Sequence, residues 1–407
     1  VITVWNENTG AGVTHPEGFV AAGVRCGLKA EGSDLALIVC ETAASAAGVF
    51  TTNRVQAASV RYSRRVVRSG TARAILCNAG NANACTGERG EHDTRMMAEI
   101  AARRLGISSS GILVASTGVI GKPLPMEKLE QGIPAAVEAL DRDAEADMQV
   151  ARAIMTTDTR PKLIAVTADS DDWMGPIRFG GVCKGAGMIA PNMATMLCFL
   201  TCDAQIPAPL LQRALSAAVR RTFNRMTVDG DTSTNDMTLI LASGMGGCQI
   251  AQEGRAFDDF CEALERVCRY LAREVARDGE GATKLVTVTV RGAPAEEGAV
   301  RIAKTIAESP LVKTALYGSD PNWGRIMMAV GRAGVAFDPE AVEVFLGDIC
   351  VCRNGQAVAF DAEAAHASLK QPEVQVLVDL HIGEEEASVW TCDYSYDYIK
   401  INAEYHT

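Results

Sequence analysis

The stretch KGAGMIAPNMATMLCFL, residues 184–200, sets a lone hydroxyl, Thr195, at the head of an apolar run. Two glycines, a proline and an asparagine precede it. One reading is a core strand entered from a turn. The other is a nucleophile. A threonine hydroxyl attacks poorly at neutral pH, but it is activated when its own α-amino group serves as base, which requires a newly made chain terminus. An α-amine has an ordinary pKa near ~8, close to working pH. An internal threonine can create that terminus by attacking the preceding carbonyl, here that of Ala194, in an N-to-O acyl shift followed by ester hydrolysis. Gly185, Gly187 and Pro191 suit a constrained approach. From these residues alone both readings stay open.

Other motifs could carry chemistry, and each has a plainer reading. GVCKG, residues 181–185, spaces Cys183 like a nucleophile elbow, yet none of the five histidines (His15, His92, His366, His381 and His406) is near it in sequence. STGVIG, residues 116–121, ends a strand in a small turn that could aim N–H groups at an anion, or could be only a turn. GAGMIA, residues 185–190, fits a dinucleotide pattern, but Pro191 stands where a helix should be running. DGDTSTND, residues 229–236, lacks the glycine and the terminal glutamate of a calcium loop and reads as a polar turn. No histidine pair or C-x-x-C pair supports a metal site, so none is expected.

The elements that must position such residues alternate between strands and helices. DLALIVCE, ARAILCNAG and GILVAST read as strands. DTRMMAEIAARRLG reads as a helix closed by Gly106, and PLLQRALSAAVRRTFNRM as another. FDDFCEALERVCRYLAREVARD places Phe260, Leu264, Val267, Cys268, Leu271 and Val275 on one stripe. From about Leu285 the pattern turns strand-rich. KLVTVTV alternates like a half-buried strand, RGAPAEEGAV reads as a surface loop, and VEVFLGDICVCRNGQAVAF as a hairpin around Asn354-Gly355. VQVLVDLHIG and ASVWTCDYSYDYIKINAEY read as further strands. The mixture predicts α/β layers.

Composition sets outer bounds. With 407 residues, two or three domains are expected. A formal charge of −11 argues against nonspecific nucleic-acid binding, which needs a basic face. No basic stretch followed by an apolar one opens the sequence, and no 18-residue apolar run is present, so neither a leader nor a membrane span is expected. The 13 cysteines lie mostly in apolar contexts such as LALIVCE and MLCFL and read as reduced core thiols, pointing to a cytoplasmic protein.

The longer blocks resemble a known family. KGAGMIAPNMATMLCFLTCDA is similar to the cleavage-site signature of the ornithine acetyltransferase family, also called the glutamate N-acetyltransferase family of arginine biosynthesis. AAGVFTTNRVQAASV, CNAGNANACTG, IMTTDTRPK, FNRMTVDGDTSTNDM, GEGATKLVTV, ESPLVKTALYGSDPNWGRIMMAVG and CDYSYDYIKINAEYHT resemble its further blocks, in order along nearly the whole chain. The resemblance implies a multilayer α/β sandwich with a self-cleaving site of the N-terminal-nucleophile type in residues 1–284, and a smaller strand-rich domain in residues 285–407.

It also implies cleavage between Ala194 and Thr195, giving an α chain of residues 1–194 and a β chain of residues 195–407, commonly assembled as α2β2. Thr195 would be the nucleophile and Thr117 and Gly118 the oxyanion pair. Thr157, Lys184, Thr195, Glu280, Asn402 and Thr407 would bind substrate, with Thr156 an alternative to Thr157. The implied reaction passes acetyl from N-acetylornithine to Thr195 and then to glutamate, and needs no cofactor. No motif decides whether acetyl-CoA is also a donor. A related self-cleaving aminopeptidase, releasing acid to water, and an uncleaved binding protein are the rival readings.

Overall fold

The computed structural model describes residues 1–190 and 196–404. Two β-sheets organise them. The larger has nine strands: β1 (Ile2–Asn8), β2 (Phe19–Val24), β3 (Leu35–Phe50), β4 (Thr71–Asn81), β5 (Ile112–Val119), β6 (Lys162–Ser170), β7 (Ile177–Lys184), β8 (Leu197–Cys202) and β9 (Met237–Ala242). Their order is β1-β6-β7-β8-β9-β3-β4-β5, with β2 paired to β3. LCFLTC of β8 and MTLILA of β9 are buried at every position and run parallel. A strand covered on both faces needs apolar residues continuously rather than alternately. The apolar run after Thr195 is therefore the central strand β8.

Helices cover both faces of this sheet, which makes it an α/β sandwich. They are α1 (Ala58–Val67), α2 (Gly87–Leu105), α3 (Met126–Glu138), α4 (Ala144–Ile154), α5 (Ala208–Arg221) and α6 (Arg255–Arg277). Leu211, Leu215, Phe260, Leu264 and Leu271 of α5 and α6 share one buried cluster with Phe179, Leu200 and Ile240. Val60 of α1 and Val150 of α4 share another with Ile38, Phe199 and Leu239. Neighbouring strand residues such as Phe199 and Leu200 thus face opposite layers, as the period of two requires. All six residues of the predicted α6 stripe are buried. Gly106 ends α2 with φ 67°, the left-handed cap expected of it.

The smaller sheet has the order β13-β12-β11-β14-β10-β15. Its strands are β10 (Leu285–Ala293), β11 (Glu343–Leu346), β12 (Ile349–Arg353), β13 (Gln356–Ala357), β14 (Glu373–Asp379) and β15 (Glu385–Cys392). The remaining helices are α7 (Glu296–Ala307), α8 (Pro310–Tyr317), α9 (Trp323–Gly331), α10 (Ala362–Leu369) and α11 (Tyr396–Glu404). We propose a domain division at 284/285, where the chain enters β10. The cores still communicate, because Leu285, Trp390 and Cys392 lie in the cluster under α5 and α6.

Several sequence expectations change here. RGAPAEEGAV is not a loop but the end of β10 and the start of α7, whose Ala299 and Ile302 are buried. KLVTVTV is buried almost throughout, because β14 and β15 flank it, and its threonines hide the burial from a period-two reading. The main hairpin of VEVFLGDICVCRNGQAVAF turns at Gly347-Asp348, pairing Leu346 with Ile349. Asn354-Gly355 closes only the short β13, although both residues have the positive φ of a type I′ turn. PLLQRALSAAVRRTFNRM stops being α-helical at Arg221 and continues as a 3-10 turn. YDYIKINAE is helix α11 rather than strand, and this places Asn402 beside the cavity described next.

Candidate active site

Thr117 and Gly118 lie at the end of β5, where pairing with β4 becomes irregular at Gly80 and Asn81. Gly118 has φ 130°, and a side chain there would put Cβ 2.3 Å from the Gly80 carbonyl carbon, so only glycine fits. Asn235 holds this turn, donating from Nδ2 to the carbonyls of Ser116 at 2.8 Å and Ala82 at 2.6 Å. Thr117 itself is buried.

Lys184 ends β7 and is only 8% exposed. The chain beyond it is strapped down at each step. The Gly185 amide donates to Asp158 Oδ1 at 2.7 Å, and the amides of Met188 and Ile189 donate to the Asp229 carboxylate at 2.7 and 2.8 Å. The carbonyl of Ile189 accepts from the Val228 amide at 2.6 Å and from Thr227 Oγ1, and that of Ala190 accepts from Thr232 Oγ1 at 2.8 Å. DGDTSTND is therefore a clamp on the segment leading to Pro191. Burial pushes the Asp229 carboxyl above the usual carboxylate range, although the amides it accepts pull the other way.

Glu280 follows α6 and is 7% exposed. Its amide donates to the Ala186 carbonyl at 2.9 Å, and its Oε2 accepts from Asn402 Nδ2 at 2.8 Å. Asp236 stands just before β9, buried. Burial holds its carboxyl well above the usual range, against opposing hydrogen bonds from Ser233 and the Met196 amide and the charge of Lys184.

These groups surround one cavity of about 100 Å³. Its lining brings together Thr117, Gly118, Lys184, Glu280 and Asn402 from the sequence expectation, together with both Thr156 and Thr157. Met196, the residue after the expected nucleophile, and Leu197 also line it. Ala194, Thr195 and Thr407 lie outside the described residues. A cavity with an ammonium and a carboxylate on its wall suits a small molecule bearing both charges, since each end finds an opposite partner.

Sequence reasoning missed Ser233, Asn235, Asp236 and Gly187 on this wall, and Asp158 beside it. The signal for Ser233, Asn235 and Asp236 was the polar run DGDTSTND. Cys183 is fully buried and its Sγ faces the Leu271 carbonyl at 3.8 Å. Burial raises its thiol far above the usual range, with Lys162, Asp158, Glu274 and Asp278 as the charged groups around it. That environment disfavours a thiolate nucleophile. Among the described residues no cluster of His, Cys, Asp or Glu is arranged to hold a metal ion, and no helix is long and apolar enough to cross a membrane.

Residues 20–407 match the ArgJ family. The chain is 50% identical to the arginine biosynthesis bifunctional protein ArgJ of Thermosynechococcus vestitus, covering 99% of each chain. It is 49% identical to the protein of that name from Symbiobacterium thermophilum, covering 97% of this chain and 98% of that one. A crystal structure of the Bacillus halodurans argJ protein aligns at 45% identity with a TM-score of 0.49, over 50% of this chain and 97% of that chain.

Proposed function

Because the chain belongs to the ArgJ family, we propose that it is an acetyltransferase of arginine biosynthesis that activates itself by cutting between Ala194 and Thr195. Thr195 Oγ attacks the Ala194 carbonyl carbon, the peptide becomes an ester, and water hydrolyses it, freeing the α-amine of Thr195. That amine then takes the hydroxyl proton as general base. Oγ attacks the acetyl carbonyl of N-acetylornithine, the C–N bond breaks, and ornithine leaves with the proton returned by the α-amine. The amine of glutamate attacks the acetyl-threonine ester, forming N-acetylglutamate and restoring Oγ–H.

Thr117 and Gly118 serve the negative oxygen of each tetrahedral intermediate. Removing one such donor typically costs ~3–4 kcal/mol of barrier. Lys184 receives a substrate carboxylate and Glu280 an ammonium. Thr157, Asn402 and Thr407 complete the substrate contacts.

The observation that carries this reading is the convergence of Thr117, Gly118, Lys184, Glu280 and Asn402 on one cavity that also reaches Met196. With Met196 they come from five separate segments, and the apolar β8 begins two residues after Thr195. The same burial explains why the run after Thr195 is apolar.

Intact mass under denaturing conditions tests the reading. Purified protein should give two chains, the second beginning Thr-Met-Leu-Cys, and Thr195→Ala should remain one inactive chain. Active enzyme that stays uncut excludes the mechanism. Loss of N-acetylornithine without glutamate would identify a hydrolase instead. Acetyl-CoA, supplied alone with glutamate, shows whether a second donor is used.

A further inference from the structure

Three segments of the cavity wall meet at a buried charge cluster that touches none of the cavity itself. Asp158 and Asp278 flank Lys162, and the side chains of all three are at most 4% exposed. Lys162 Nζ donates to Asp158 Oδ1 at 2.7 Å and to Asp278 Oδ2. Asp158 spends its remaining capacity on two backbone amides, Thr156 at 3.0 Å and Gly185 at 2.7 Å. Asp278 accepts from the Thr159 amide at 3.1 Å and from Thr159 Oγ1.

Each of these bonds lies within two residues of a proposed substrate contact. Thr156 adjoins Thr157, Gly185 adjoins Lys184, and Asp278 stands two residues before Glu280. Two carboxylates against the ammonium of Lys162 leave one negative charge in the cluster. Against the opposing effect of burial, the charges of Lys162 and then Lys184 hold the Asp158 carboxyl below the usual carboxylate range. A buried pair of this kind is stable only when its lone pairs are also hydrogen-bonded, and here the donors are the site's own backbone.

We infer that Asp158, Lys162 and Asp278 are positioning residues that set the spacing between the carboxylate-binding and ammonium-binding ends of the substrate cavity. The inference rests on the proposed reading for the identity of the ligand. The cluster ties the 155–161 loop to the ends of β7 and α6, so loosening it lets Lys184 and Glu280 drift apart.

The test compares wild type with Asp158→Asn, Asp278→Asn and the milder Thr159→Val, whose exposed side chain leaves the core intact. Ornithine affinity is read by titration calorimetry and the KM for each substrate by steady-state kinetics. Both asparagine variants should weaken ornithine about tenfold or more and raise both KM values, with kcat changed by less than about threefold. Thr159→Val should show the same pattern at smaller size. Unchanged affinity and KM in soluble variants, with only a lower melting temperature, would overturn the inference while leaving the acetyltransferase reading intact. Wild type that neither binds ornithine nor transfers acetyl would overturn both.

Discussion

Gly187 leaves no space for a side chain. A Cβ there would lie 2.3 Å from the Glu280 carboxylate, so the carboxylate occupies the volume that glycine vacates. Gly187→Ala must push Glu280 aside, and we expect kcat/KM for N-acetylornithine to fall by about tenfold or more. Steady-state kinetics on folded variant check this, and an unaltered value would mean Glu280 does not work from its present position. Asp236 makes a second prediction through its proton. A carboxyl whose pKa burial raises keeps its proton to higher pH than the unfolded chain, which releases it above about pH 4, so it lowers stability progressively as pH rises toward the folded pKa. Asp236→Asn removes that contribution. Its stability relative to wild type should therefore be greater at pH 7 than at pH 4.5, measured by urea unfolding at both values. An equal difference at the two values would show that Asp236 is ionised in the fold.

At the scale of elements, α11 is unusual because none of its residues is buried. It contributes a side chain to the cavity without contributing to the core. Among the described residues it is tied to the cavity wall by the bond from Asn402 Nδ2 to Glu280 Oε2, and Asn402 also donates to the Tyr398 carbonyl at 3.0 Å. Asn402→Ala should leave global stability within about 0.5 kcal/mol, since Asn402 is exposed. The same substitution should raise the KM for N-acetylornithine by about tenfold, because a hydrogen bond to a charged group contributes ~1.5–3 kcal/mol. Denaturant unfolding and kinetics on one preparation separate the two effects. A large stability loss with KM unchanged would contradict the assigned role.

At the scale of the molecule, the two sheets share core. Trp390 and Cys392 of β15 pack with α5 and α6, the Thr227 amide donates to the Trp390 carbonyl at 2.9 Å, and Thr283 and Lys284 donate backbone amides to Asp393. Arg273 and Arg277 of α6 also pair with Glu373 of β14. A boundary crossed by buried apolar side chains couples the unfolding of both sides. Differential scanning calorimetry should therefore give one main transition, and Trp390→Ala should lower it by about 3–5 kcal/mol of stability. Two well-separated transitions in the parent protein would show that the sheets are independent domains.

The sequence by itself determined the local order. Apolar continuity marked β8, the i, i+3, i+4 stripe marked α6, and Gly106 marked the end of α2, because each depends on burial or dihedral preference along a short segment. The candidate site residues were also legible, but only through long blocks resembling a family. No spacing along the chain relates Thr117, Lys184, Glu280 and Asn402, which lie up to 285 positions apart. Tertiary structure decided what local pattern cannot carry. It turned YDYIKINAE into a helix whose Asn402 reaches Glu280. It made DGDTSTND a clamp rather than a turn, and it gave Asp158, Lys162 and Asp278 one another as partners. A buried ion needs its counter-charge in space, not in sequence, so its pairing becomes visible only once the chain has folded around it.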